Sequence, residues 1–252
     1  MRSIGIERER FIICAGKIQP LIGHILPFLE AGTKDEGGFK RFGYELFAGQ
    51  LEDRTMPRMT VEGALAQLEI NDRIIASVCD ARGISLLAAD YVTEEELGEL
   101  IVNPIDKRHK EIWEILTPER RVAASQVAAI HVHVGNLSAD EIVRLLNYCR
   151  QDVIDILAEK GDFSDGKRLQ AYRIMAEVNG EPPLFNNLAE ILTYIKGKKG
   201  ERNVWDMVRY KPVTKTVEFR MFGSTDDLNR ISRMIEATLE VVHDVCKATA
   251  MA

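Results

Sequence analysis

The chain has 252 residues, 46% hydrophobic and 29% charged, enough for a sizeable core and too apolar for disorder. Lys and Arg number 33 against 39 Asp and Glu, a formal net charge of -6 with no basic block or interleaved basic-aromatic stretch, which argues against nucleic acid as the main partner. Cys14, Cys79, Cys149 and Cys246 form no C-x-x-C pair, and neither a signal-like start nor an apolar run near the roughly 20 residues needed for a bilayer occurs, so the expectation is a cytoplasmic protein without a membrane partner.

The first element, SIGIERERFIIC at 3–14, reads as a strand. Alternation places Glu7 and Glu9 on one face and Ile6, Arg8 and Arg10 on the other. Adjacent carboxylates repel unless water screens them, arginines pair them or a cation sits between them, and a wet edge strand is the ordinary explanation for an isolated pair. Residues 17–31 have helical spacing, but Pro20 and Pro27 point to a short or broken helix. After a turn at Gly37-Gly38, FKRFGYELFAGQLEDRT suits a second strand through Tyr44, Leu46 and Phe47 that ends near Glu52.

A helix is expected over 60–81 with Thr60 as its N-cap, then a buried strand at 84–91 and a helix at 93–101 opened by Thr93 and Glu96. VAAIHVHVGN at 127–136 reads as a strand, and 138–161 as one long helix opened by a Ser138/Glu141 capping box. Shorter helices are expected at 167–177 and 186–196, followed by a solvated loop at 196–202. TKTVEFRMFGS at 214–224 reads as a strand, and 224–248 as a capped amphipathic helix. Without a repeat, linker or low-complexity segment, one domain covering 1–252 is expected.

Four strands carry polar groups on one face opposite an apolar face: Glu7 and Glu9, Glu45 and Glu52, His131 and His133, Glu218 and Arg220. Each pair alone has a plain reading, as a solvated face, a hydrogen-bonded histidine pair or a surface ion pair. Their coincidence favours one shared site. Oxygen ligands with an occasional imidazole suit Mg²⁺ or Mn²⁺, and convergent acids are better explained by divalent metals than by mutual repulsion.

The stretches GIERER, ELFAGQLE, AAIHVHVGN and TVEFRMFGST occur in the order of the motifs of carboxylate-amine ligases of the glutamate-cysteine ligase and amidoligase superfamily, which this chain resembles over nearly its whole length. The resemblance implies an α+β fold: a curved, mainly antiparallel sheet with helices on one face, the glutamine-synthetase-like catalytic domain. It implies that Glu7, Glu9, Glu45, Glu52, His131 and Glu218 hold metal, that Glu218 and Arg220 act in catalysis, and that Arg220 and His133 meet the nucleotide. The cofactors implied are ATP and Mg²⁺ or Mn²⁺. The reaction implied is formation of an amide from a small-molecule or peptide carboxylate and an amine through an acyl phosphate. Arg168, Arg173, Arg209 and Lys211 are candidates for holding a substrate carboxylate or phosphate, by charge alone. Two rivals stay open, a metal-dependent hydrolase on the same acids and a non-catalytic ligand-binding relative, as does homo-oligomerisation.

Overall fold

The computed structural model describes residues 1–33, 38–177 and 181–247. Gly37 of the expected turn and residue 248 of the final helix lie outside the described residues. The first strand, β1 (Ser3–Cys14), runs through the middle of the sheet and organises it. β2 (Lys17–Ile18) folds back on its end, β3 (Phe42–Tyr44) and β4 (Gln50–Arg54) form a hairpin, and β5 (Ile84–Leu87) pairs with the far half of β1. β6 (Ala129–Gly135), β7 (Val208–Lys211) and β8 (Thr216–Gly223) complete the order β3-β4-β1-β6-β8-β7, with every strand pairing antiparallel.

One face of this sheet is apolar. Ile4 and Ile6 of β1, Ile130, Val132 and Val134 of β6, and Val217 and Phe219 of β8 are buried in one cluster. Over them pack α2 (Val61–Asp80), α5 (Ala139–Tyr148), α6 (Gln151–Ala158) and α9 (Leu228–Lys247), contributing Leu68, Leu145, Leu157 and Met234 among others. The alternation that buries these residues turns Glu7, Glu9, His131, His133 and Glu218 to the opposite face. Arg8 and Arg10 share the apolar side of β1, where they are buried and paired with Asp53 of β4, Asp72 of α2 and Asp226. Burial of Asp53 is more than offset by Arg8 and Arg10, which hold its carboxyl below the usual range.

Several elements differ from their sequence expectation. The expected strand through Tyr44, Leu46 and Phe47 breaks after Tyr44, and the chain turns through Glu45–Gly49 before β4 begins. Phe47 is buried and folds back over Gly49, where a Cβ would come within 2.4 Å of the ring, so the turn requires glycine. No helix forms over 93–101. The Glu96 carboxylate does accept from the Thr93 N–H and hydroxyl, but Gly98 lies against the Ile18 carbonyl with no room for a Cβ, and Val102 bridges to Phe47. Close docking of the segment overrides its local helical signal.

β5 is shorter than expected and only partly buried, with Ile84 in the core and Leu87 exposed. The expected 138–161 helix is two helices, α5 and α6, separated at Cys149-Arg150, where Arg150 is extended and its guanidinium binds Glu181 and the Pro182 carbonyl. Of the two prolines, Pro20 precedes α1 (Ile22–Ala31) and Pro27 lies inside it. α7 (Lys167–Ala176) and α8 (Leu188–Gly197) match the short helices expected. β2 is a strand at the start of the 17–31 segment read as helical, and three elements had no expectation: α3 (Lys107–Ile115), α4 (Pro118–Gln126) and β7. α3 contains no buried residue and α4 is polar with small buried alanines, so neither has an apolar stripe to read.

Candidate active site

Antiparallel register aligns the polar side chains across five strands, β4, β1, β6, β8 and β7. Glu9 stands opposite Glu52, Glu7 lies between Arg54 and His131, and His133 lies opposite Glu218, which is opposite Arg209. Between Ile130 and Val132 the β6 strand advances two residues while β8 advances three, from Phe222 to Phe219, so β8 carries one extra residue opposite His131. Such a bulge re-aims side chains, and here Arg220 lies within it.

The acids sort into two groups. Glu7, His133 and Glu218 offer ligand atoms within 4.8 Å of one another, and so do Glu9, Glu45 and Glu52. The E-x-E of β1 therefore supplies one acid to each. His131, expected as a ligand, stands between the groups: its Nδ1 is 3.3 Å from Glu7 and 3.5 Å from Glu218, and its Nε2 is 3.6 Å from Glu9. The imidazole inside the first group is that of His133. Its Nδ1 is 3.2 Å from the Thr216 hydroxyl, while its buried Nε2 has no hydrogen-bond partner and lies 3.4 Å from Glu7. A histidine with one nitrogen fixed by a neighbour and the other free among carboxylates is the arrangement of a metal ligand.

The two groups differ in electrostatics. Burial pushes Glu7 and Glu218 up, but His133 and His131 around Glu7, and Arg209 and Arg220 around Glu218, hold both well below the usual carboxylate range. In the second group burial dominates. The Glu9 carboxyl is pushed up to about 8 by burial and by Glu52, Glu45 up to about 7 by burial and by Glu9, and Glu52 upward by burial against Arg54. Arg54 contacts Glu52 and is 3.7 Å from Glu7. One guanidinium leaves three clustered carboxylates under-neutralised. A divalent cation at the second group would supply the missing charge, and the oxygen-rich donors of both groups suit Mg²⁺ or Mn²⁺. Burial and then the Arg220 charge lower His131 to about 4, leaving it neutral at pH 7.

The arginines close the site on the β7-β8 side. Arg209 reaches both oxygens of Glu218 and also donates to the Val204 carbonyl. Arg220 donates to Glu218 at 3.0 Å, and its guanidinium carbon lies 5.8 Å from the centre of the Tyr172 ring. Lys211 lies 4.0 Å from Glu218. Of the other candidates, Arg168 gives its nitrogens to the carbonyls of Ala128, Met221 and Arg220, which fixes the bulge from behind. Arg173 is exposed on α7, 3.7 Å from Asp155. Neither lines the cavities described next.

Two cavities meet at Glu7 and Arg54. One, of ≈ 390 Å³, is bounded by Glu7, Glu45 and Glu52, by Arg209, Lys211 and Arg220, and by α3. The other, of ≈ 580 Å³, lies on the His133 side, with walls from Ile6, Phe39, Met59 and Leu137. Arg108 and His109 of α3 and Arg202 of the turn Glu201–Asn203 also line the first cavity. Sequence reasoning missed all three. They lie in polar segments without periodicity, and only the tertiary fold brings them to the acids.

No protein-family model and no curated protein matches the sequence. Among solved structures, a bifunctional glutathione synthetase from Pasteurella multocida matches at TM-score 0.59 and 14% identity, over 98% of this chain and 41% of that one. A glutamine synthase homologue matches at TM-score 0.50 and 11% identity, over 97% of this chain and 55% of that one. A glutamate-cysteine ligase from Francisella tularensis in complex with AMP aligns over 62% of this chain at TM-score 0.42, too distant to add to the assignment. This chain thus spans about half or less of the solved proteins it matches. At these identities the likeness establishes the fold alone: an α+β arrangement of the glutamine synthetase kind, its antiparallel sheet covered by helices on one face.

Proposed function

We propose that this protein is an ATP-dependent carboxylate-amine ligase. The observation that carries the reading is the pair of ligand groups on one sheet face, Glu7/His133/Glu218 and Glu9/Glu45/Glu52, flanked by Arg209 and Arg220. Two-metal hydrolases also use two ligand groups, so it is the arginines beside them that favour phosphoryl transfer over hydrolysis. Phosphoryl transfer has use for both, because its catalysis is mainly positioning and charge neutralisation. Mg²⁺ or Mn²⁺ held by these residues would neutralise the nucleotide phosphates and the charge that shifts as the γ-phosphoryl group moves.

The protein's own side chains divide the remaining work. The apolar walls of the cavity beside His133 suit the adenosine moiety, with its phosphates directed towards Glu7 and Arg54, where the two cavities meet. The acid binds in the basic cavity. Its carboxylate oxygen attacks the γ-phosphorus, the bond to the β-phosphate oxygen breaks, and acyl phosphate and ADP result. An amine nitrogen then attacks the acyl carbon, the bond to phosphate breaks, phosphate leaves, and the nitrogen loses a proton to give the amide. Arg220, held by Glu218 and carried within the bulge, would bind the transferring phosphoryl oxygens. Neutral His131 separates the two acidic groups without adding a charge to either.

The test is thermal. Binding to the native state raises stability by mass action, so ATP with Mg²⁺ should raise the melting temperature clearly more than ATP with EDTA. Equal shifts would remove the metal-bridged nucleotide site, and amide formation without ATP would remove the ligase assignment.

A further inference from the structure

Arg220 serves the transfer step in the ligase reading, yet its own hydrogen bonds do not fix its aim. Its Nη1 donates to Glu218 at 3.0 Å, while its Nε is buried with no hydrogen-bond partner. A long side chain held at one end by a single bond keeps rotamer freedom, so its orientation has to be set by what surrounds it. Its backbone is irregular as well. Arg220 and Met221 of β8 together face the single residue His131 of β6, and an interruption of this kind leaves backbone groups without a ladder partner. The Arg220 N–H finds the Met207 carbonyl at 2.9 Å, which leaves the carbonyl side of the bulge to be held by something other than a strand.

Helix α7 meets this need twice. Arg168, 2% exposed, gives Nε to the Ala128 carbonyl at 3.1 Å, Nη1 to that of Met221 at 3.0 Å and Nη2 to that of Arg220 at 2.9 Å. All three acceptors are backbone carbonyls of the bulge or of the residue before β6, and burial pushes the Arg168 pKa down. Burying a guanidinium against neutral acceptors is costly, and an apolar residue would fill the space at less cost while leaving three carbonyls without their donor. One turn further along α7, Tyr172 is equally buried, with its ring centre 5.8 Å from the Arg220 guanidinium carbon. Its hydroxyl donates at 2.8 Å to the carbonyl of Trp205, a residue of the basic cavity wall. The helix is itself tied at both ends. Ser164 Oγ accepts from the Arg168 N–H and donates to buried Asp90, and Arg120 of α4 donates to the Met175 carbonyl.

We infer that α7 is a bracket for Arg220: Arg168 fixes the backbone that carries it and Tyr172 backs its guanidinium, which makes both of them positioning residues for phosphoryl transfer. The inference rests on the ligase reading for its purpose and on the α7 contacts for its geometry. Neither side chain lines either cavity. Arg168 therefore serves the site from behind, instead of holding a substrate charge as its residue type suggested. Because the effect of both passes through Arg220, it belongs to the state in which charge moves onto the transferring group, and nucleotide binding does not need it.

The experiment has two readouts on the full chain. The first is the NMR resonance of the Arg220 Nε–H in the metal-free protein, assigned by its loss in Arg220→Lys. In wild type it should be resolved and slow to exchange with water. In Arg168→Lys, whose ammonium cannot serve three carbonyls in that geometry, and in Tyr172→Leu it should broaden or move to the position of an exposed arginine, while Tyr172→Phe keeps the ring and should keep the resonance. The second is titration calorimetry with Mg²⁺ and ADP, alone and with fluoroaluminate as a mimic of the group in transfer. Arg168→Lys and Tyr172→Leu should weaken the fluoroaluminate complex at least about tenfold and change ADP affinity by less than about twofold. In an Arg220→Lys background, Arg168→Lys should add less than about twofold, because its effect is already lost. Either variant alone decides, should the other fail to fold. A resonance unmoved in the variants, equal loss of both complexes, or a full additional loss in the Arg220→Lys background overturns the bracket. A wild type that gains nothing from fluoroaluminate removes the transfer role of Arg220 and with it the ligase reading, and the resonance still decides the geometry.

Discussion

Glu9 gives the sharpest energetic test of the second acidic group. Its carboxyl moves from an ordinary value near 4.5 to about 8 on folding, through burial and the proximity of Glu52. A raised carboxyl pKa means that the folded, metal-free protein binds a proton the unfolded chain has released. The stabilisation is complete below pH 4.5 and is lost as pH rises from there through about 8. At about 1.4 kcal/mol per pH unit the contribution lost by pH 7 is roughly 3 kcal/mol, reduced to about 2–3 because Glu45 and Glu52 share the same repulsion. Glu9→Gln keeps the volume and an oxygen for the Ala129 N–H, while removing the charge. With an unfolding entropy of roughly 2.1 cal/mol/K per residue over 252 residues, the variant in EDTA should melt about 4–6 °C above wild type at pH 7, the gap closing towards pH 5. Wild-type melting in EDTA should fall between pH 5.5 and 8. A metal-free wild type that gains stability across this range, or a glutamine variant that melts lower at pH 7, would refute the reasoning.

Glu218→Gln should have the opposite sign. Glu218 is fully buried and binds Arg209 through both oxygens as well as Arg220, so removing its charge leaves buried guanidiniums uncompensated at a cost of about 3 kcal/mol, about 6 °C in melting temperature. An unchanged melting temperature would mean that the two guanidiniums find other partners and that Glu218 is not their anchor. Arg220→Lys keeps the charge and loses the planar fork. Once an acid and amine pair is found by screening ADP release, this variant should bind ATP nearly as wild type and turn over at least about tenfold more slowly, a barrier increase of roughly 1.4 kcal/mol. A wild-type rate would remove Arg220 from the transfer step.

The split of side chains between strand faces is legible in the residues alone. Period-two alternation in β6 and β8 places His131 and His133, and Glu218 and Arg220, opposite apolar residues, and in β1 it separates Glu7 and Glu9 from Ile6, Arg8 and Arg10, because side chains of a strand must alternate whatever it pairs with. Helix starts at Thr60 and Ser138 were equally legible, since a hydroxyl accepting from a first-turn N–H is a local interaction. Register across strands is not local and comes from how the strands pair in the folded chain. The pairing of Glu9 with Glu52 and of His133 with Glu218 divides the acids into two groups, puts His133 inside one of them and leaves His131 between. The break of 138–161 at Arg150 and the absence of a helix at 93–101 follow from contacts with residues far along the chain. Arg108 and Arg202 gave no signal at all. Their segments are polar and exposed, with no buried stripe to impose a pattern, and it is the folding of α3 and of the turn before β7 over the same cavity that brings their charges together beside the acids.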